Sequence, residues 1–139
     1  MKTPLEIGYR YVLPSLKSQL TKILITKFNL NQMGISKTLK ISKSTVSRYL
    51  SMERGSKIDL SKFSDVNEII EKLASKILVE RLDEYNIEME LIKITLYILN
   101  KRYLCSFHAK IDPKIDTAKC NICSKIFKQI QFSLINNHI

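Results

Sequence analysis

The sequence predicts an all-α protein, in which an N-terminal unit of short helices is followed by long helices that form a dimerisation region. Three observations predict this class. One apolar stripe at helical spacing covers residues 13–29, two short helical patterns joined by a turn follow in residues 32–52, and two long helical patterns lie in residues 65–101. A chain of 139 residues can bury a real core, and we divide it into residues 1–62 and 63–139.

The first long helix is expected to begin at Leu13-Pro14-Ser15, because proline is tolerated in the first turn of a helix. It is expected to end near Asn29. Its stripe consists of apolar residues spaced by three or four positions, namely Leu16, Leu20, Ile23, Leu24 and Phe28. Such a stripe is typical of a packed core, so we interpret this helix as support for the elements that follow.

The first of the two short helices is expected to open at Gln32. Ile35 and Leu39 then lie one turn apart on a single face, and Ser36 is small enough to let a second helix approach closely. Lys40 lies in the turn that follows.

The second short helix is expected over residues 43–52, after Ser42. Ser42 is a good N-cap, because its hydroxyl can accept a hydrogen bond from an amide of the next turn. The buried face is expected to hold Val46, Tyr49 and Leu50. The remaining side chains are short and polar or cationic, a set that enters the major groove of DNA without a clash: Lys43, Ser44, Thr45, Ser47 and Arg48.

Residues 32–50 resemble the helix-turn-helix of the lambda repressor and Cro class, whose pattern is Gln, a small residue, Leu, a turn, Ile-Ser and a Ser/Thr-Val-Ser-Arg-Tyr-Leu recognition helix. Lys40 stands where that pattern usually has Gly, so the resemblance implies a positive φ for Lys40, which is uncommon for a residue with a Cβ atom. Gly34 replaces a larger helix former, which weakens the helix by about 1 kcal/mol relative to Ala. More widely, the chain resembles a family of small archaeal transcriptional regulators with a cysteine-bearing tail, on Thr3-Pro4, Glu6-Ile7, Tyr11-Val12-Leu13-Pro14, Arg54-Gly55 and the cysteines near the C-terminus.

The resemblance implies a sequence-specific, double-stranded DNA-binding transcriptional regulator with residues 43–52 as its recognition helix. Arg48 is the best candidate for a bidentate pair with guanine, and Ser44 and Thr45 are candidates for other base edges. Gln32 is expected to set the register, and the lysines are expected to bind phosphates. The full set of expected contact residues is Gln32, Lys43, Ser44, Thr45, Ser47, Arg48 and Lys57.

The charge of the chain agrees with nucleic acid as the partner. The formal net charge is +10 and the isoelectric point is near 9.6, so a polyanion is attracted at long range. Two alternatives remain open. A non-sequence-specific nucleic-acid or chromatin protein would share this charge, and a protein-interaction module would keep the helix-turn-helix only as a scaffold.

Catalysis is not expected, and neither is a small-molecule substrate. The only histidine bases are His108 and His138, and three glycines in all provide no phosphate-binding loop. No N-terminal signal pattern is present, and the longest apolar stretch, Leu91 to Leu99, is interrupted by Lys93. We therefore expect a cytoplasmic protein that does not contact a membrane.

Residues 52–64 carry glycine, several serines and mixed charges, so they are expected to form a loop or a loop with one short turn. Arg54 in this loop is a further candidate for phosphate contact. Asp65 is expected to cap a helix that continues to about Arg81.

After the helix that ends near Arg81, a further long helix is expected from about Ile87 to Lys101, and a C-terminal helix is expected from Ile122 to Ile135. The former is apolar over so much of its circumference that it must be buried on more than one side. We expect these two helices to form a homodimer interface. Two recognition helices related by a two-fold axis would then read an inverted repeat.

The cysteines and one histidine form the set Cys105, His108, Cys120 and Cys123, with the spacing of a structural zinc site. Zinc is therefore the candidate cofactor. The archaeal family also tends to carry an additional pair of cysteines ahead of this region, where residues 89–93 here read MELIK. Reduced free thiols and a thiol redox sensor remain open as alternatives.

Overall fold

The computed structural model describes residues 1–52, 54–55, 57–126 and 128–129. The described residues are 71% helical, and none of them lies in a strand. This confirms the all-α class. No helix within the described residues is both long enough and apolar enough to span a bilayer.

The N-terminal helix begins earlier than the sequence indicated. Helix α1 covers Pro4–Ile7, a π-helical turn covers Gly8–Val12, and α2 covers Leu13–Thr26. Helix α2 begins at Leu13 with Pro14 in its first turn, as predicted, but the helical residues ahead of it were not predicted. Proline lacks the amide that would bond to the carbonyl of Arg10, and the wider π-helical turn accommodates this loss.

Two short helices follow α2. Helix α3 covers Gln32–Leu39 and α4 covers Lys43–Leu50, two residues shorter at its end than predicted. The loop after α4 contains one 3₁₀ turn, Leu60–Lys62, as the sequence indicated. Leu60 and Ile58 in this loop are buried, so the loop contributes to the core.

Two long helices form the next layer. Helix α5 covers Ser64–Glu80 and α6 covers Glu84–Asn100. Both pack against α2 and against each other. The buried residues form one core cluster that continues across residue 62, so the two halves of the chain are joined by apolar packing.

Asp65 was expected to cap α5, but the helix begins at Ser64 and Asp65 does not cap it. It lies inside the first turn, where its Oδ2 accepts hydrogen bonds from Tyr97 Oη at 2.6 Å and Tyr103 Oη at 2.7 Å. Phe63 stacks on the ring of Tyr103 with a centroid distance of 4.2 Å. The hydrogen bond to Asp65 raises the pKa of Tyr97 to about 12, and the two tyrosine hydroxyls lower the pKa of Asp65.

Helix α7, Cys105–Ile111, and the residue that follows it hold the N-terminal segment by hydrogen bonds. The Lys2 amide donates to Asp112 Oδ2 at 2.6 Å, and the Lys2 carbonyl oxygen is 2.7 Å from His108 Nε2. Residues 122–126 and 128–129 are helical. The remainder of the helix predicted to end at Ile135 lies outside the described residues.

Candidate nucleic-acid interface

Side chains cap both short helices at their N-termini. Asn31 Oδ1 accepts a hydrogen bond from the Gly34 amide at 2.7 Å, which satisfies a donor at the start of α3. Ser42 Oγ accepts from the Thr45 amide at 3.1 Å at the start of α4. The predicted role of Ser42 is therefore confirmed. A cap of this kind contributes about 1 kcal/mol to helix stability.

The turn between α3 and α4 depends on Lys40. This residue has φ 60° and ψ 40°, the left-handed conformation that the sequence predicted. Its amide and the amide of Ile41 both donate to the Ser36 carbonyl oxygen, and Ser36 Oγ donates to the Ile41 carbonyl oxygen at 2.5 Å. Ser36 thus closes the turn by hydrogen bonding as well as by being small.

The inner faces of α3 and α4 are held by apolar contacts and one polar link. Ile35 and Val46 have no exposed surface, and Tyr49 is 6% exposed. Ser18 Oγ of α2 donates to the Tyr49 carbonyl oxygen at 3.2 Å. Because its inner face is fixed against α2, α4 presents its other face to solvent in a defined orientation.

The outer face of α4 carries the side chains predicted to contact DNA. Lys43, Ser44, Ser47 and Arg48 are exposed. Thr45 is half-buried, and its hydroxyl lies 2.8 Å from Ser42 Oγ. Ser44 Oγ also lies near Ser42 Oγ, at 3.0 Å, but Ser44 is exposed. Four of the five candidates on this helix are therefore exposed, whereas Thr45 is half-buried.

The two remaining candidates lie outside α4. Gln32 is exposed in the first turn of α3, and Lys57 is exposed in the loop after α4. That loop passes close to α2 at Gly55, where φ is +73° and an added Cβ would lie 2.4 Å from the Pro14 carbonyl oxygen. Only glycine fits this approach. Gly55 therefore fixes the course of the loop that carries Arg54 and Lys57.

The segment that contains this surface is rich in cations and has no carboxylate, a feature that the sequence analysis did not use. Between Glu6 and Glu53 the chain has no acidic residue, while it has eight cationic ones: Arg10, Lys17, Lys22, Lys27, Lys37, Lys40, Lys43 and Arg48. A polyanion therefore meets no repelling carboxylate from within this segment. The asymmetry is readable from the sequence and adds Lys37 and Lys40 of the α3–α4 unit to the candidate contacts.

The ion pairs divide these cations into two groups. Lys17 pairs with Glu88 of α6 at 3.0 Å, and Lys27 pairs with Glu71 of α5. Both therefore attach α2 to the long helices. Among the described residues, no carboxylate lies within 4.0 Å of the cations of α3 and α4 or of Lys40. Lys37, Lys40, Lys43 and Arg48 therefore form no ion pair with any residue that the structure describes.

The predicted zinc ligands are close together but do not form a metal site. Cys105, His108 and Cys123 line one small cavity. Within the described part of the chain, however, no three His, Cys, Asp or Glu side chains are arranged to hold a metal ion. His108 Nε2 donates a hydrogen bond to the Lys2 carbonyl oxygen, which leaves Nδ1 as the only ring nitrogen that could bind a ligand. The set Cys105, His108, Cys120 and Cys123 therefore does not fit zinc in this arrangement.

The surroundings of the cysteines shift the pKa of Cys123. All three cysteines are free and half-buried. Burial raises the pKa of Cys123, and the neighbouring thiols of Cys105 and Cys120 raise it further.

Comparisons with protein-family models, with curated proteins and with solved structures find no match to this chain.

Proposed function

We propose that this protein is a sequence-specific, double-stranded DNA-binding transcriptional regulator, in which α3 and α4 form a helix-turn-helix. The observation that carries the proposal is the outer face of α4. This face is exposed and carries short polar side chains and cations, and it lies on a helix whose inner face is fixed by Val46 and Tyr49. A rigid helix with such a face suits the major groove.

In this proposal, cations around α4 bind phosphates and supply most of the affinity. Lys43, at the start of α4, and Lys57, after it, are assigned to this role. Such contacts position the protein on the duplex but carry no sequence information directly. Lys37 and Lys40, from the same acid-free segment, would add to the attraction.

Base reading is assigned to Arg48, Ser44 and Ser47, which are exposed on α4. Arg48 can donate two parallel hydrogen bonds to guanine, a contact worth about 1 to 3 kcal/mol of discrimination. Thr45 receives a lesser role than the sequence alone suggested, because it is half-buried. Gln32 at the start of α3 is placed to fix the register.

The regulator is proposed to act as a homodimer on an inverted repeat. A single helix of eight residues reads only a few base pairs, and two copies related by a two-fold axis read two half-sites about one helical turn apart.

Selection of random duplexes by the purified protein tests the proposal. We expect enrichment of one short inverted repeat. The double variant Lys43→Ala/Arg48→Ala should enrich no sequence. The matched control Lys72→Ala/Lys119→Ala removes the same charge from exposed positions outside α4 and should enrich the same repeat as the wild type.

Enrichment of no sequence by the wild type would reject the proposal. Binding to all duplexes alike would then assign the protein to non-specific coating, and an absence of DNA binding would leave a protein-interaction module.

A further inference from the structure

Helix α6 exposes an apolar seam on the side opposite its buried face. The buried side is formed by Ile87, Leu91, Ile94 and Ile98. The outer side has four apolar residues in one line, which we call the α6 seam: Tyr85, Met89, Ile92 and Leu96. Tyr85 is 86% exposed, Met89 is 47% exposed and Ile92 is 49% exposed.

The spacing of the seam is that of a coiled coil. Its residues follow one another at intervals of four, three and four positions, as the d and a positions of two heptads do. The buried face of α6 does not need this heptad spacing, because it packs against several helices of its own subunit. The seam therefore suits one further helix lying alongside α6.

The charges beside the seam indicate which helix this is. Glu88 precedes Met89 at a g position, and Lys93 follows Ile92 at an e position. The side chain of Glu88 is 46% exposed and that of Lys93 is 62% exposed. Within the subunit Glu88 is 3.0 Å from Lys17, and Lys93 is 3.4 Å from Glu90, yet both side chains retain open surface.

A second copy of α6 complements these charges in one orientation only. In a parallel pair, a g position faces the e position of the next heptad on the other helix, five residues later. Glu88 then faces Lys93 of the partner subunit, and the contact occurs twice by symmetry. An antiparallel pair would place the acidic edge beside the acidic edge and the lysine edge beside the lysine edge.

We propose that two copies of this chain associate through a parallel, in-register pair of α6 helices along the α6 seam. The proposal deepens the homodimer of the proposed function and takes its biological meaning from it. The N-terminal half of α6 lies beside the α3–α4 turn, since Glu84, Ile87 and Glu88 share a cleft with Leu39 and Lys40. The parallel arrangement therefore places both turns at the same end of the seam.

The seam is short, so the dimer is expected to be weak in the absence of DNA. Four side chains per helix bury less than the roughly 800 Å² per partner of a standard interface. A dissociation constant in the micromolar range follows. A half-site pair on DNA would then favour the dimer by bringing two copies together.

Charge reversal tests the pairing, measured by sedimentation equilibrium of the full chain without DNA. Glu88→Lys and Lys93→Glu each create two like-charge contacts and should each raise the dissociation constant about tenfold. The double variant Glu88→Lys/Lys93→Glu restores opposite charges and should return to within about threefold of the wild type. Lys17→Gln, which breaks only the pair inside the subunit, should leave the constant within about threefold.

A second pair of variants tests the apolar part. Ile92→Glu should give a monomer at every concentration tested, whereas Leu5→Glu, at a residue of α1 that is 72% exposed, should leave the dimer intact. Helical content measured by circular dichroism verifies that each variant is folded. A monomeric wild type at about 100 μM, a dimer that survives Ile92→Glu, or single reversals that do not weaken association would each overturn the proposal.

These outcomes are separable from those of the proposed function. A dimer that passes every seam test but enriches no DNA sequence would reject the regulator and keep the interface. Enrichment of an inverted repeat by a protein that is indifferent to the seam variants would keep the regulator and reject this interface.

Discussion

Helices α4 and α6 both use one face to pack on the core. Their outer faces differ. The outer face of α4 carries Lys43, Arg48 and serines, whereas that of α6 carries the apolar seam flanked by Glu88 and Lys93. The buried faces explain the fold, and the contrast between the outer faces is the basis on which we propose a polyanion as the partner of α4 and a second copy of the chain as the partner of α6.

The largest expected effect separates the two faces of α6. Ile98 has no exposed surface and Ile92 is 49% exposed. Ile98→Ala should lower the free energy of unfolding by about 2 to 5 kcal/mol, because it leaves a cavity in the core. Ile92→Ala should lower it by less than about 1 kcal/mol in the monomer. Urea unfolding at submicromolar concentration measures both, and equal losses would show that the seam is part of the monomer core.

A second comparison is between two cations of the candidate interface. Arg48→Ala should cost about 1 to 3 kcal/mol of discrimination at one base pair in each half-site. Lys57→Ala should weaken binding to all sequences alike and reduce the slope of log affinity against log salt by about 1. Fluorescence anisotropy with single-base variants of the operator distinguishes the two. The reverse pattern would exchange their assignments.

The N-caps of the two helices offer a matched test. Ser42 accepts from the Thr45 amide at 3.1 Å, and Asp83 accepts from the Asn86 amide at 2.8 Å. Ser42→Ala and Asp83→Ala should each lower the free energy of unfolding by about 1 kcal/mol. Only Ser42→Ala should also weaken operator binding, because only α4 is assigned to the groove. If Asp83→Ala weakens DNA binding as strongly, the division of roles between α4 and α6 is wrong.

The pH dependence is expected to report on the contact between α5 and α6. The pKa of Tyr97 is raised to about 12, because its hydroxyl donates to Asp65. The protonated tyrosine therefore stabilises the fold below the ordinary tyrosine pKa of 10.0, and this stability is lost as the pH rises from about 10 to about 12. Ultraviolet titration should show the Tyr97 and Tyr103 hydroxyls ionising last.

Asp65→Asn should bring both tyrosine pKa values down, and the exposed control Asp59→Asn should not. The charge of Asp65 gives the free energy of unfolding the opposite pH dependence at acid pH. Its lowered pKa stabilises the fold above the ordinary value of 3.8, and the benefit is lost as the pH falls further. Unchanged tyrosine titration in Asp65→Asn would contradict the contact.

The elements that could be predicted from the sequence are those with local causes. The left-handed Lys40 and the Ser42 cap follow from neighbours within a few residues, and both are confirmed. The π-helical turn ahead of Pro14 was missed, because proline is compatible both with a helix start and with a relaxed helix interior. Only packing of the earlier residues on α6 distinguishes the two cases.

The features that escaped prediction have long-range causes. Asp65 was assigned to a cap, but its partners Tyr97 and Tyr103 lie more than thirty positions away. His108 was assigned to a metal because of its spacing from Cys105, whereas in the fold it meets the carbonyl of Lys2, 106 positions earlier. Spacing cannot reveal such partners, since they are brought together only by the packed helices.

The most direct test of the central claim is equilibrium binding of the purified protein to its enriched duplex and to a scrambled duplex of equal composition, across a salt series. We expect a preference for the enriched duplex of about 10³-fold or more at physiological salt, together with a steep loss of affinity for both duplexes as salt rises. Equal affinity for the two duplexes at every salt concentration would contradict the account, because the outer face of α4 would then contribute charge and no sequence reading.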